Sequence, residues 1–320
     1  MAAEEEFARD ADPFRRELLA HCYRMLGSVH DAEDLVQETF LRAWRAYDRF
    51  DDRRASMRTW LYRIATNACL TALEQRERRP LPSSLVGATD DPRRPLDVRS
   101  EIPWLEPIPD ALVAGARDDP ASVVAFRGSV RLALIAALQH LPARQRAVLI
   151  MRDVLGWTAA ETAQLLETSV AAVNSALQRA RAQLHEVAPA EDEVTEPGDP
   201  RWREALDRYV AAFAEADVDA VVRLLRDDVV VEMPPALTWF AGRAAFGQFL
   251  ASRDWTPDLW RAVATQANGQ PAVATYRRGD DGGHHAHSVH VLTVTTGGIA
   301  HVVAFQHPQL FAAFDLPPTR

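Results

Sequence analysis

Residues 141–184, LPARQRAVLIMRDVLGWTAAETAQLLETSVAAVNSALQRARAQL, carry two short helical patterns that are joined by a tight turn. Thr158 can cap the first helix, and Glu161, three residues later, can reach back to complete a capping box. The three residues 167–169 form a segment long enough only for a turn. The last of them, Ser169, is a good N-cap for a second helix from 170 to 184. The pattern therefore predicts a helix-turn-helix.

The second helix of this motif has a polar outer face. Apolar residues recur at helical spacing and should face inward: Val173, Leu177, Ala180 and Leu184. The outward residues include two arginines and no carboxylate: Asn174, Ser175, Gln178, Arg179 and Arg181. Such a face suits the major groove of DNA, where amides read adenine edges and arginine binds guanine or phosphate. An ordinary helical hairpin with a solvated outer face has the same spacing, so this segment alone leaves both interpretations open.

A second helical region lies between Pro13 and Pro80, with no proline in between. Its charge is sorted, because residues 1–38 hold ten carboxylates and four arginines, whereas residues 39–80 hold ten arginines and five carboxylates. Aromatic residues alternate with arginines in the basic half, as expected for stacking on unpaired bases and following phosphates. Phe40 and Trp44 are expected to pack in the core, and Trp60 is the better candidate for base contact.

Two motifs in this region and the helix-turn-helix together resemble a known family. HDAEDLVQETFLRAW at residues 30–44 and RTWLYRIATNAC at residues 58–69 closely resemble region 2 of extracytoplasmic-function (group IV) sigma-70 factors. Residues 141–184 resemble region 4 of the same family. The two resemblances are independent, occur in the expected order and cover residues 10–187.

The resemblance implies a specificity subunit that recruits core RNA polymerase to promoter DNA. The residues implied to dock on the clamp helices of the largest polymerase subunit are Asp34, Leu35, Gln37, Glu38 and Phe40. Those implied to melt and read the minus 10 element are Arg58, Trp60, Arg63 and Asn67. The minus 35 element is implied to be read by Asn174, Ser175, Gln178 and Arg179, with Arg181 on the same face. Many relatives are charged at Val170 and basic at Asn174 or Ala176, so the minus 35 preference of this chain stays open.

Composition is consistent with a cytoplasmic DNA-binding protein of two or three domains. The net charge of the 320-residue chain is -9, but residues 188–320 hold eighteen carboxylates and eleven arginines, so most of the excess lies outside the DNA-binding regions. No apolar run approaches the roughly 20 residues of a membrane helix, and the acidic start does not resemble a signal peptide. Cys22 and Cys69 are expected to be buried free thiols, and neither a metal nor another cofactor is expected.

Two acidic, proline-bearing linkers divide the chain. The first covers residues 81–122, and its repeated prolines predict an extended path. Such a tether suits passage through the polymerase channel, as the resemblance implies, although a surface linker has the same composition. Trp104 and Leu105 are expected to anchor on another domain, and similar insertions occur in the sigma-G-like branch of the family. The second linker covers residues 188–199.

Residues 200–320 change pattern, from helices to alternating strands. Helices are predicted at 202–215, 218–225 and 243–250, and strands at 228–233, 260–267, 272–277, 287–295 and 299–305. This order predicts an α+β domain with a curved antiparallel sheet. It resembles the cone-shaped SnoaL-like domains of the sigma-G and sigma-J branch, and that resemblance implies an enclosed pocket.

Candidate residues for this pocket are Glu232, Met233, Trp239, Phe240, Phe246, Trp260 and His290, which could equally form plain core. Enzymes with this fold use a pocket carboxylate or histidine as acid and base, and Glu232 and His290 could serve. No matching catalytic motif is present, so no catalytic residue is assigned. Strand alternation places His287 on the opposite face from His290, which disfavours a metal site among the histidines at 284, 285, 287 and 290.

The sequence thus predicts a multidomain chain: all-α region 2 at residues 10–80, all-α region 4 at residues 123–187 and the α+β domain at residues 200–320. We expect a non-enzymatic sigma factor whose C-terminal domain regulates it, with core RNA polymerase and promoter DNA as partners. A small-molecule ligand in the C-terminal domain is compatible with this hypothesis. An anti-sigma factor is compatible but not implied, and no membrane partner is expected. The alternative is a promoter-binding module fused to an active cyclase, isomerase or hydrolase.

Overall fold

The computed structural model describes residues 2–74, 78–113, 128–187, 195 and 199–320. The chain divides into two compact units, and each is formed by two separate stretches of sequence. The N-terminal unit contains Met1–Arg79 and Leu112–Pro189, and the C-terminal unit contains Pro80–Ala111 and Ala190–Arg320. Within the described residues, no helix is both long and apolar enough to span a bilayer.

Four helices form the first half of the N-terminal unit: α1 (Ala2–Ala11), α2 (Arg15–Leu26), α3 (Val29–Arg45) and α4 (Met57–Glu74). Helix α2 ends at Gly27, whose φ of 69° lies in the left-handed region that favours glycine. Ser28 then caps α3, because its side chain accepts a hydrogen bond from the Asp31 N–H. Cys22 and Cys69 are buried free thiols, which confirms the prediction for both.

The second half of this unit contains α6 (Leu132–Leu138), α7 (Ala143–Leu149), α8 (Ala159–Leu165) and α9 (Val170–Val187), after a single turn α5 (Asp110–Val113). Helix α7 continues as a π-helical turn, Ile150–Val154. Thr158 and Glu161 form the predicted capping box at the start of α8. Ser169 accepts a hydrogen bond from the Ala172 N–H at the start of α9. The predicted helix-turn-helix is confirmed.

Two buried arginines connect the halves of the N-terminal unit. Arg24 of α2 donates to the Ser129 carbonyl at 3.1 Å and to its hydroxyl at 2.6 Å. Arg146 of α7 donates to the Met25 carbonyl and, at 2.8 Å, to the Gln139 side chain. Because a buried guanidinium needs partners to replace water, these bonds fix the packing of α2 against the second half of the unit.

The C-terminal unit packs helices against a six-stranded sheet. Its helices are α10 (Pro200–Ala214), α11 (Val218–Leu224), α12 (Arg243–Ala251) and α13 (Leu310–Ala313). The strands are β1 (Leu225–Glu232), β2 (Trp239–Ala241), β3 (Trp260–Ala267), β4 (Gln270–Arg278), β5 (His284–Thr295) and β6 (Gly298–Phe305). Their order in the sheet is β2-β1-β6-β5-β4-β3. This arrangement confirms the predicted α+β domain.

One strand pairing differs from the expected antiparallel sheet. Strands β1 and β6 run parallel, whereas the other neighbouring strands are antiparallel. Alternation in sequence reports which face a residue occupies but not the direction of the neighbouring strand, so the pattern could not show this pairing. The core lies between the inner face of the sheet and the helices α10, α11 and α12.

Candidate functional site

The outer face of α3 is the first candidate surface. Asp34 and Gln37 are exposed, and Leu35 and Glu38 are half-buried, so these four predicted docking residues lie at or near the surface. The fifth predicted docking residue, Phe40, is buried, with 8% of its surface exposed. Its ring packs under Phe7 of α1, with centroids 6.2 Å apart, and under the Arg15 guanidinium.

The exposed part of α3 also includes two large apolar side chains that the sequence did not single out as surface residues. Leu41 is 44% exposed and Trp44 is 39% exposed. Trp44 was expected to be core, but it is only partly covered, and its ring contacts Phe7 with centroids 5.6 Å apart. An exposed apolar pair beside acidic side chains is typical of a protein-binding surface.

The four residues predicted to read the minus 10 element all lie on helix α4 but differ in exposure. Arg63 and Asn67 are exposed one turn apart. Trp60 is half-buried and its ring packs at a tilt against Phe50, with ring centroids 4.9 Å apart. Arg58 is half-buried; its Nε donates to Glu17 at 3.0 Å and its guanidinium lies over the Tyr62 ring. Although burial opposes it, the bond to Glu17 raises the pKa of Arg58. The Arg58 guanidinium is therefore engaged in the packing of α2 against α4 in this structure.

The predicted reading face of α9 is exposed throughout, at Asn174, Ser175, Gln178, Arg179 and Arg181. Arg179 donates to the Ser175 hydroxyl at 2.6 Å, within the same face. Arg181 forms a two-point ion pair with Asp153, with N–O distances of 2.9 and 2.6 Å. Because Arg181 is exposed, DNA phosphate can compete with Asp153 for its guanidinium.

Helix α4 and the helix-turn-helix, both predicted to contact DNA, touch each other within the N-terminal unit. Arg63 of α4 donates to Glu167, in the turn of the helix-turn-helix, at 2.7 Å. Nearby, the Tyr62 and Trp157 rings pack with centroids 5.5 Å apart. The Arg63 guanidinium is therefore engaged by a carboxylate of the helix-turn-helix in this conformation.

The C-terminal unit encloses a cavity of about 450 Å³ between β1, β5, β6 and the helices. Four of the predicted pocket residues line it, namely Met233, Phe246, Trp260 and His290. Further aromatic lining comes from Tyr209, Phe213, Phe249 and Trp255, which the sequence analysis did not single out as pocket residues. Charged residues on the lining are Arg253, Asp254 and Arg277, and all three are exposed.

A chain of hydrogen bonds crosses the inner wall of the cavity. The Tyr209 hydroxyl lies 3.1 Å from His290 Nδ1, and His290 Nε2 lies 2.9 Å from the Ser288 hydroxyl. The same hydroxyl lies 2.7 Å from the Thr275 hydroxyl and 3.2 Å from His287 Nδ1. Burial lowers the pKa of His290 to about 3 and, with Arg277, that of His287 to about 4. Both imidazoles are therefore neutral near pH 7.

Glu232 and Trp239 do not line the cavity, which corrects the sequence prediction for both. Glu232 lies between the lining residues Val231 and Met233, and successive strand residues point to opposite faces. Trp239 is the partner of Glu232 in the β1–β2 register and so shares its face. On that face Glu232 accepts hydrogen bonds from the Ser83 N–H at 2.7 Å and from His301 Nε2 at 2.9 Å. Phe240 is a buried core residue that is not part of the lining.

The position of His287 also differs from the expectation. A bulge in β5 inserts His287 between the partners of Thr275 and Tyr276, so that both His287 and His290 line the cavity. His284 instead contacts the Asp258 carbonyl, and His285 contacts Asp281. Across the described ranges, no group of three or more His, Cys, Asp or Glu side chains is arranged to hold a metal ion.

The segment Pro80–Ala111 packs on the C-terminal domain through its main chain, a feature that the sequence did not predict in this form. The Thr89 N–H donates to the Trp239 carbonyl at 2.9 Å, and the Leu237 N–H donates to the Asp97 carbonyl at 2.7 Å. Near the other end, Ile108 and Asn268 exchange two bonds of 3.0 and 3.1 Å. Trp104, Leu105 and Ile108 are buried, and Pro95 and Leu96 line the cavity. The segment is thus an integral part of this unit.

Acid should destabilise the C-terminal unit through His290. Unfolded His290 takes up a proton below pH 6.5, whereas the folded side chain stays neutral down to about pH 3. Between these values the unfolded state binds more protons, so stability falls as pH falls, by about 1.4 kcal/mol per pH unit. Denaturant unfolding at pH 7 and pH 5 should show a smaller loss for His290→Gln than for the unchanged chain. His307→Gln, at an exposed position, is the control, and an identical loss in all three proteins would contradict the prediction.

A helix-turn-helix with a polar, arginine-bearing face, preceded by an arginine-rich helical bundle, is typical of DNA-binding proteins. Residues 11–79 match the family Sigma-70 region 2, residues 131–184 match Sigma-70, region 4, and residues 206–302 match the SnoaL-like domain. The chain is 50% identical over 315 residues to the ECF RNA polymerase sigma factor SigG of Mycobacterium tuberculosis, covering 98% of this chain and 84% of SigG. The chain belongs to the extracytoplasmic-function (ECF) sigma factors, which initiate transcription and are not enzymes.

A solved structure supports the same assignment. The crystal structure of the M. tuberculosis extracytoplasmic function sigma factor SigJ has a TM-score of 0.63 and 25% identity, covering 95% of this chain and 98% of that chain. In sequence, SigJ of M. tuberculosis is 32% identical over 219 residues, which is 68% of this chain and 62% of SigJ. The structural match extends across the helical regions and the C-terminal domain.

Proposed function

We propose that this sigma factor docks on core RNA polymerase through the exposed face of α3 and reads promoters through α4 and α9. Asp34 and Gln37 are exposed on α3, next to the exposed apolar side chains of Leu41 and Trp44. Arg63 and Asn67 of α4 would contact the minus 10 element, and the exposed face of α9 would contact the minus 35 element. In this proposal Phe40 and Arg58 do not contact the partners directly, and instead stabilise the packing of the helices that carry these surfaces.

Reversal of charge at the docking face tests the polymerase contact. Asp34→Arg should weaken binding to core RNA polymerase by at least about tenfold, because a like-charge contact at an interface costs several kcal/mol. Glu215→Arg makes the same charge change at an exposed site in the C-terminal unit and should leave the affinity unchanged. Affinity is measured by titrating labelled chain with core enzyme. Equal affinities for the two variants would contradict the proposed docking face.

We also propose that the C-terminal domain regulates the sigma regions by holding the segment Pro80–Ala111. The observation that carries this proposal is the set of hydrogen bonds between the main chain of that segment and the domain, from Ser83 to Ile108. The segment follows region 2 and lies between region 2 and region 4 in sequence. While it is bound to the domain it is unavailable for the polymerase channel that the family resemblance implies. Release of the segment should therefore accompany activation.

Reconstituted transcription tests the proposed function as a whole. Core RNA polymerase and the full chain are incubated with a genomic DNA library, and the transcript starts are sequenced. Starts that share paired upstream motifs would support promoter reading by both regions, whereas unspecific starts would contradict it. A cytoplasmic location follows from the proposed polymerase partner. An anti-sigma factor is a compatible further partner.

A further inference from the structure

The first turn of α9 exposes an apolar side chain. Val170 is the first residue of this helix and is 45% exposed, and among the described residues of region 4 it is the one large apolar side chain with that degree of exposure. The N-terminal residues of the second helix of a helix-turn-helix contact base edges in the major groove. We propose that Val170 contacts the C5-methyl group of a thymine in the minus 35 element and thereby selects that base. The proposal rests on the proposed reading of the minus 35 element by α9, and it identifies one of the bases that are read.

The position of Val170 is fixed from two sides. Ser169 caps the helix, because its hydroxyl accepts a hydrogen bond from the Ala172 N–H at 3.1 Å. Val173, in the same turn, is fully buried and anchors the start of α9 in the core. A valine side chain in a helix also has one strongly preferred rotamer, so little conformational freedom is lost when it contacts a base. Val170 therefore presents a preorganised apolar surface.

The exposed side chains of the first two turns of α9 are uncharged. They are Val170, Ala171, Ala172, Asn174 and Ser175. Charge begins in the third turn, where Arg179 and then Arg181 are exposed. In protein–DNA complexes phosphate contacts fix the position of the protein, and contacts to base edges specify the sequence. The distribution of charge on α9 therefore suits base contact by the first turn and phosphate contact by the later arginines.

Thymine is the base whose major-groove edge matches a valine side chain. Guanine, adenine and cytosine present hydrogen-bond donors and acceptors there, whereas thymine presents one acceptor and a methyl group. Valine has neither a donor nor an acceptor in its side chain. Against the other three bases it would displace water from polar groups and return no hydrogen bond, which is unfavourable. An exposed valine at a base-contacting position thus favours a thymine.

Asn174 indicates where this thymine lies relative to a second base. Residues four apart in a helix are neighbours on its surface, so Val170 and Asn174 lie on the same side of α9. Four residues rise by about 6 Å, which is close to two base pairs at about 3.4 Å each. Asparagine pairs with the major-groove edge of adenine. We therefore expect the thymine about two base pairs from an adenine that Asn174 reads.

Replacement of thymine by uracil tests the contact, because uracil forms the same base pair and lacks the methyl group. Each thymine of the minus 35 element, in either strand, is replaced in turn in a promoter found by sequencing of transcript starts. Binding of holoenzyme assembled from core RNA polymerase and the full chain is measured by competition. One replacement should weaken binding about fourfold, the factor expected for loss of one buried methyl group. If no replacement weakens binding measurably, the thymine contact is overturned.

A double-mutant cycle assigns the methyl contact to Val170. Val170→Ala removes the apolar contact surface, and it should fold because alanine is the strongest helix former. This variant should bind the thymine and uracil promoters equally. Val98→Ala makes the same change at an exposed position of the C-terminal unit and should keep a ratio of about fourfold between the two promoters. An undiminished ratio in Val170→Ala would overturn Val170 as the residue that reads this base.

Cytosine methylation separates a methyl contact from an effect of DNA shape. Replacing the T·A pair by C·G removes the methyl group, and 5-methylcytosine restores it at the same ring position. The unchanged chain should bind the methylated site about fourfold more tightly than the unmethylated site, and Val170→Ala should bind both equally. If methylation gives the unchanged chain no gain, the thymine preference arises from DNA shape and the contact is overturned.

Asn174→Ala distinguishes failure of this contact from failure of the proposed function. It should weaken binding to the thymine promoter about tenfold and retain the ratio between the thymine and uracil promoters. If Asn174→Ala and base changes throughout the minus 35 element all leave binding unaltered, α9 does not read that element, and the proposed function fails together with the contact. If Asn174→Ala weakens binding but Val170→Ala still responds to the methyl group, the contact alone is overturned.

Discussion

Replacing Arg146 with methionine is expected to lower the free energy of unfolding of the N-terminal unit by at least about 3 kcal/mol. Arg146 is 3% exposed and donates to the carbonyls of Met25, Gln139 and Leu141 and to the Gln139 side chain. Methionine preserves much of the apolar volume but donates no hydrogen bond. Several buried acceptors would then lose a partner at once, each at a cost of about 1–3 kcal/mol.

Arg144→Met is the matched control for this prediction. Arg144 lies two residues earlier on α7 and is exposed, so its replacement should change stability by no more than about 0.5 kcal/mol. Denaturant unfolding followed by circular dichroism measures both variants. A difference of less than 1 kcal/mol between Arg146→Met and Arg144→Met would show that the buried guanidinium does not connect the two halves of the unit.

Removal of the Glu232 carboxylate should release the start of the segment Pro80–Ala111. Glu232 is 1% exposed, and it accepts hydrogen bonds from the Ser83 N–H and from His301. Although burial opposes ionisation, the bonds from His301 and Ser83 hold the pKa of Glu232 below its usual value. A hydrogen bond to a charged group contributes about 1.5–3 kcal/mol, so Glu232→Ala should raise local opening at Ser83 by roughly tenfold or more.

Hydrogen exchange at the Ser83 amide measures this opening, and Glu232→Gln is the conservative control. The glutamine oxygen can still accept from the Ser83 N–H, so this variant should retain most of the protection. Equal exchange in Glu232→Ala and the unchanged chain would mean that Glu232 does not hold the segment. Equal loss in both variants would assign the effect to altered packing instead of the hydrogen bond.

Features that depend on a local side-chain bond could be predicted from the sequence. The capping box of Thr158 and Glu161 fixed the start of α8, and Ser169 fixed the start of α9. Strong alternation located β3 at its observed bounds, Trp260–Ala267. The family motifs likewise located regions 2 and 4.

Features that depend on contacts between distant residues could not be predicted. Strand β2 has three residues, which is too short to show alternation. Side chains alternate between the two faces of a strand, and one extra residue shifts that alternation by one position. The bulge at His287 therefore places its side chain on the same face as His290.

The linker shows the same limit at the level of the main chain. Its prolines correctly excluded a long helix over residues 80–109, but its hydrogen bonds to the C-terminal domain use backbone groups of Thr89, Asp97 and Ile108. Every residue except proline carries the same backbone donor and acceptor, so composition cannot show where they bind. The ion pair of Arg58 is similar, since its partner Glu17 lies 41 residues away in sequence.

Run-off transcription by the full-length chain and its Glu232→Ala and Glu232→Gln variants tests the central claim most directly. The template is a promoter identified by sequencing of transcript starts, with equal amounts of core RNA polymerase. If the C-terminal domain restrains the sigma regions by holding the segment Pro80–Ala111, Glu232→Ala should raise transcript yield about fivefold or more, and Glu232→Gln should stay near the unchanged chain. Equal yields from all three proteins, together with faster hydrogen exchange at the Ser83 amide in Glu232→Ala, would contradict restraint through this segment.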